Sequence, residues 1–191
     1  MFYGSGAAGS YEGRRFKEFL DFVSGALGSE LADDIIDDAD VPNGGAYTAV
    51  GTYPYSEMQA LVTALSRRTG SSVPDLLTLF GRHLCLRFVV RYPEFFTVQA
   101  SLFDFLESVD AYIHREVHKL YPDAELPVFR LTRHGLDAID LDYESCRPLE
   151  ALAEGMIQGA ADHFRQPVAV AKLRVEDPAG PFVRFSIKHA A

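Results

Sequence analysis

Apolar side chains recur every three to four positions through most of the first 120 residues, then every second position in much of the remaining chain. The first period predicts helices and the second half-buried strands. Phe16, Phe19, Leu20, Val23 and Leu27 form one helical stripe, with Gly28 placed to stop it. An acidic helix is predicted over 30–38, with Leu31, Ile35 and Ile36 turned inward. Pro42-Asn43-Gly44-Gly45 is a turn cluster, and the Gly-interrupted stretch 47–53 reads as loop or strand. Helix resumes over 56–68 and breaks at Gly70-Ser71-Ser72. It restarts at Val73-Pro74-Asp75, where proline in a first turn costs no hydrogen bond.

The helix from 73 to about 91 carries Leu76, Leu77, Phe80, Leu84 and Phe88 on more than one side, which predicts burial; Pro93 closes it. After a short piece with Phe95 and Phe96, one long helix is predicted over 102–120, ended by Tyr121-Pro122. Beyond Pro127 the period approaches two. Val128, Phe129 and Leu131 mark one strand, and Ile139, Leu141 and Tyr143 alternate with Asp140 and Asp142 in another. A helix over 148–163 comes next, where Gly155 and Gly159, four apart, allow close approach of a neighbour. Strands over 168–175 and 182–187 flank the turn Asp177-Pro178-Ala179-Gly180. Helices first, then antiparallel strands around a helix, make an α+β chain without internal repeats.

Length sharpens this to a single domain over 11–191 behind a Gly/Ala/Ser-rich flexible tail, 1–10, that lacks the basic and apolar regions of a signal peptide. With 18 basic against 27 acidic residues the net charge is -9, which argues against nucleic acid and anionic membrane as partners. The most apolar run, 84–90, contains Arg87, so no membrane span is expected. Two cysteines, Cys85 and Cys146, are too few for a disulfide framework and point to a reducing, cytoplasmic setting. There are 14 Phe and 9 Tyr but no Trp, enough flat apolar surface for either a plain core or a pocket for a large flat ligand.

Nucleophile elbows, Walker loops and dinucleotide fingerprints are missing, so no enzyme class gains a foothold. His114 and His118 stand one helical turn apart, but Arg115 occupies the position where a zincin carries Glu, and no third ligand is signalled. The segment Tyr143-Glu144-Ser145-Cys146-Arg147 closes a strand. Continued alternation would project a phenol, a hydroxyl and a guanidinium together, a donor set suited to a carboxylate.

His114 with a Tyr-Pro stop seven residues on, Pro127, and then Tyr-x-Ser-x-Arg resemble the heme nitric oxide/oxygen binding (H-NOX) family in order and spacing. The runs Leu79-Phe80-Gly81-Arg82, Tyr92-Pro93-Glu94-Phe95-Phe96 and Leu152-Ala153-Glu154-Gly155-Met156-Ile157 extend the resemblance. It implies N-terminal helices followed by a four-stranded antiparallel sheet with helices. It also implies heme b, with His114 as the axial ligand of iron, Tyr143, Ser145 and Arg147 on the propionates, and Pro127 against the macrocycle. His118 matches no role. The gas side maps to Phe19, Leu84 and Leu152, none of which can donate a hydrogen bond, so the resemblance implies a sensor of NO, with CO a second ligand, that excludes O2. It implies signalling without catalysis, to a histidine kinase or a cyclic-di-GMP enzyme, with the acidic stretch 30–40 as a contact region.

The family pattern of Met-x-Gly followed by apolar residues appears here as Gly13-Arg14-Arg15-Phe16. Two arginines at that place support a second reading, a heme-free module of the same fold acting as a scaffold for a signalling enzyme. His163 stands without the cysteines with which some relatives build a zinc site, so no zinc is expected.

Overall fold

The computed structural model describes residues 10–49, 51–120 and 126–190, leaving out the side chains of 10–12, 117, 118 and 120. The chain divides into two compact units, Met1–Phe80 and Gly81–Ala191. The helix α4 (Val73–Arg91) runs across the division.

In the first unit β1 (Ser10–Glu12) pairs antiparallel with β2 (Thr52–Pro54), so Ser10 begins a strand instead of ending a tail. α1 (Gly13–Leu27) starts directly from β1, earlier than its apolar stripe suggests. Gly13 is required there by space: a Cβ would lie 2.0 Å from the Thr48 carbonyl oxygen, and the Gly13 N–H donates to Gly51 O at 2.6 Å. The stretch left open between loop and strand is both. Its tyrosines stack against α1, with Phe16 and Tyr47 ring centres 4.3 Å apart and Phe16 and Tyr53 5.5 Å apart. Phe16 and Phe19 are fully enclosed. Each such phenylalanine contributes about 1.5–3 kcal/mol relative to exposure. α2 (Ser29–Ala39) turns Ala32 and Ile35 inward and lies on α3 (Tyr55–Thr69), where Arg68 grips Asp34 and Asp38 together at 2.6 to 2.9 Å.

In the second unit α4 is followed by α5 (Glu94–Thr97) and α6 (Leu102–Ser108), the latter capped by the Ser101 hydroxyl, which accepts from Asp104 N. The expectation that α4 is buried on several sides needs correction. Leu76, Phe80, Leu84 and Cys85 are buried, while Leu79, Leu86 and Val90 recur on one exposed face. The helix predicted over 102–120 is also three pieces: α6, a π-helical turn over Val109–Ile113, and α7 (His114–Leu120). The Tyr121-Pro122 stop lies outside the described residues.

β3 (Val128–His134), β4 (Ala138–Glu144), β5 (Val168–Val175) and β6 (Phe182–His189) form an antiparallel sheet in the order β3-β4-β6-β5. Ile139, Leu141 and Tyr143 of β4 line up with Ile187, Phe185 and Val183 of β6, all buried. α8 (Glu150–Phe164) adds Ile157, Ala160 and Ala161 to the same core. The glycine expectation holds at Gly159 of α8. A Cβ on Gly159 would meet Cys85 Cβ at 2.7 Å and Arg82 O at 2.8 Å, and α4 reciprocates, since a Cβ on Gly81 would lie 2.2 Å from Leu152 O. Arg82 and Asp162 clasp the same two helices from outside. The edge strand β5 keeps an unbroken register from Val168↔His189 to Val175↔Phe182, and its Lys172 reaches Glu154 of α8 at 2.7 Å. Among the described residues no charged side chain is buried, and no helix is long and apolar enough to cross a membrane.

Candidate functional site

His114 is the first residue of α7, directly after the π turn, and its backbone N–H closes that turn on Val109 O. Its imidazole is enclosed to 15 % exposure. One face stacks on Phe129 with ring centres 5.4 Å apart, and Phe129 leads on to Tyr143 at 5.7 Å, which in turn meets Phe185 at 6.1 Å. The rings thus form a continuous column from α7 across three strands. It exists because Phe129 and Tyr143 are register partners in β3 and β4, and partners share a face of the sheet. Tyr143 is buried at the inner end of β4.

Nδ1 of His114 lies 3.5 Å from Asp110 Oδ1, and the same carboxylate oxygen accepts the Phe129 N–H at 3.3 Å. Sequence reasoning missed Asp110 and Phe129. Their signals were present, an acid four residues before the histidine and an aromatic two residues after Pro127, but neither acquires a role until the turn and the strand are joined. Pro127 is half-buried immediately before β3.

The strand that carries Tyr143 ends one residue later, so Ser145 and Arg147 follow it outside the ladder. Glu144 pairs with Val128 at the start of β3, and Ser145 has no partner strand. The chain turns instead, and the Ser145 hydroxyl accepts the Arg147 N–H at 3.1 Å. Ser145 is exposed and Arg147 half-buried. These two share one turn that begins two residues after the buried phenol.

Leu84 is buried on α4 and Leu152 half-buried on α8, where its carbonyl faces Gly81. In the first unit Phe19 is fully enclosed, its ring 5.2 Å from Phe80 and edge-on to it. Arg14 and Arg15, in the first turn of α1, are half-buried, and the Nε of Arg14 is enclosed without a hydrogen-bond partner. The side chain of His118 lies outside the described residues. Elsewhere in the second unit His163 packs edge-on against Phe96, and no group of three or more metal-binding side chains occurs among the described residues.

The donor set suits a heme. An enclosed imidazole offers an axial nitrogen, and a phenol, a hydroxyl and a guanidinium in one unit offer donors to two carboxylates. Comparison with known sequences decides the matter of ancestry: the model described as Haem-NO-binding matches residues 12–172. The chain belongs to that family. H-NOX proteins are heme-binding gas-sensor domains, and solved members share this fold. The ferrous, unliganded H-NOX protein of K. algicida is 31% identical with a TM-score of 0.85, over 95% of this chain and 97% of that one. An H-NOX from Shewanella woodyi, solved with IWP-051 in the Fe(II)CO state, is 33% identical with a TM-score of 0.79, over 94% and 95% of the two chains. The S. oneidensis H-NOX in the Fe(II)NO state has a TM-score of 0.84 at 23% identity, covering 95% of this chain and all of that one, a likeness of fold. No curated protein matches the sequence.

Proposed function

We propose that this protein is a sensor of nitric oxide that excludes dioxygen, holds heme b through His114, and signals to a separate protein. The observation that carries the reading is the environment of His114: a largely enclosed imidazole, stacked on Phe129 and near the Asp110 carboxylate through Nδ1. When bound, the heme supplies an iron centre that takes up diatomic gases. Arg147, Ser145 and Tyr143 would supply donors to its carboxylates, and Pro127 would pack against its ring. Phe19, Leu84 and Leu152 determine which gas is retained. Dioxygen needs a donor to its partial negative charge, NO does not, and none of these three side chains has a donor.

His114 would couple the heme to α7 and the π turn, and any change of arrangement on gas binding could be no larger than the gas's differential affinity for the two arrangements. The partner is a histidine kinase or a cyclic-di-GMP enzyme. Asp34 and Asp38 are already engaged by Arg68, so the outward acids of α2 offered to it are Glu30, Asp33 and Asp37. A heme-free scaffold of the same fold is the second reading, and the enclosed Nε of Arg14 is the observation on its side.

Purified protein titrated with hemin separates the two. The sensor reading expects a Soret band that His114→Gly loses and added imidazole restores; a flat titration defeats it in favour of the scaffold. A stable oxy spectrum of the ferrous protein in air would defeat the exclusion of O2.

A further inference from the structure

We infer that Asp110 is a positioning residue for His114, held against the imidazole from within the π turn, and that it strengthens the ligand bond His114 makes; this rests on the proposed binding of heme.

Residues four apart are neighbours on a helix surface. Asp110 lies one such step before His114, within the π turn over Val109–Ile113 that the His114 N–H closes on Val109 O. The Asp110 carboxylate lies 3.5 Å from Nδ1 of His114, within ion-pair distance. It is kept there by its second contact, the Phe129 N–H at 3.3 Å on the same oxygen. Phe129 also stacks on the imidazole. One carboxylate oxygen therefore fixes the edge of the ring directly and its face through the strand.

The chemistry of imidazole gives this contact two effects. A carboxylate at Nδ1 selects the tautomer with its proton there, which assigns ligation to Nε2. The same carboxylate raises the basicity of the ring, and a more basic ligand holds a metal more tightly. Asp110 thereby opposes the release of His114 on gas binding, so it sets how readily the sensor switches.

The test uses the full chain loaded with hemin, comparing wild type with Asp110→Asn and Asp110→Ala. Asparagine keeps an oxygen for the Phe129 N–H and loses the charge; alanine loses both. In the ferrous protein, resonance Raman spectroscopy should show the iron–histidine stretch moving to lower frequency in Asp110→Asn. Heme transfer to an excess of apomyoglobin should accelerate about 10-fold, the lower end of what loss of such an outer partner costs a metal site. The melting temperature of the heme-free Asp110→Asn variant should match wild type. An unchanged stretch and unchanged heme loss in Asp110→Asn, with a lowered melting temperature in Asp110→Ala alone, would make Asp110 only a tie between helix and strand and overturn the inference. A wild type that takes up no hemin overturns both this and the functional reading, whereas hemin uptake with a stretch indifferent to Asp110→Asn overturns this one alone.

Discussion

Alanine at Gly81 and alanine at Gly25 should move stability in opposite directions, although both glycines lie inside helices. Alanine favours a helix over glycine by about 1 kcal/mol. At Gly25 of α1 nothing lies within 4 Å of the added methyl, so that preference is realised and the melting temperature should rise by about 1–4 °C. At Gly81 the methyl would lie 2.2 Å from Leu152 O and 3.1 Å from Leu152 C and Met156 N. All three are main-chain atoms, so no rotamer change relieves the clash. The backbones of α4 and α8 must part by about 1 Å to reach ordinary contact, and overpacking of this kind costs about 1–3 kcal/mol. Because the obstacle is backbone, the upper end applies, and after the helix preference is subtracted about 2 kcal/mol of destabilisation remains. That corresponds to a fall of about 4–8 °C for a chain of this length. Thermal melts followed by circular dichroism at 222 nm, with urea midpoints as a second measure, decide it. A Gly81→Ala protein as stable as wild type would refute the close approach of the two helices.

The two thiols should differ in reactivity. Burial pushes the Cys85 thiol up to about 12, with Asp162 adding to the rise, so it stays protonated at neutral pH, whereas Cys146 is exposed. One thiol per chain should react promptly with a disulfide reagent at pH 8 and two in denaturant; two prompt thiols in the native protein would contradict the packing of α4. The Ser101 hydroxyl and then the Arg133 guanidinium hold the Asp104 carboxyl below its usual range. A carboxyl lowered by folding adds stability above its unfolded value near 4, and that contribution disappears as pH falls through the folded value. Asp104→Asn should lower the urea midpoint at pH 7 and flatten its decline below about pH 4, and parallel profiles would remove Asp104 from the account.

Element positions were legible because burial imposes its period on each segment. The four-stranded sheet is legible from alternation in 139–143 and the strand readings over 128–131, 168–175 and 182–187, and the helix starts from glycine and proline. The π turn was not legible. An extra residue between Leu106 and His114 leaves apolar residues, Val109 and Ile113, close enough to the expected stripe to read as one continuous helix. The turn after β4 was not legible, since alternation lasts only as long as a partner strand, and β3 begins opposite Glu144. Exposure of Leu79, Leu86 and Val90 was hidden for a related reason: composition states how apolar a helix is, not how many neighbours the fold supplies.

The outer strand β5 has a bearing on how the protein tolerates crowding by its own copies. Eight residues in unbroken register present an open rim of main-chain donors and acceptors, the kind of edge along which chains polymerise. Lys172 and Arg174 are the register partners of Phe185 and Val183, so both cations stand on the sheet face that is apolar in its interior strands. A strand arriving from another molecule would have to close that face over two cations, Lys172 held by Glu154 and Arg174 by Glu176. The rim therefore carries its own guard, two charged side chains on the apolar face of the edge strand.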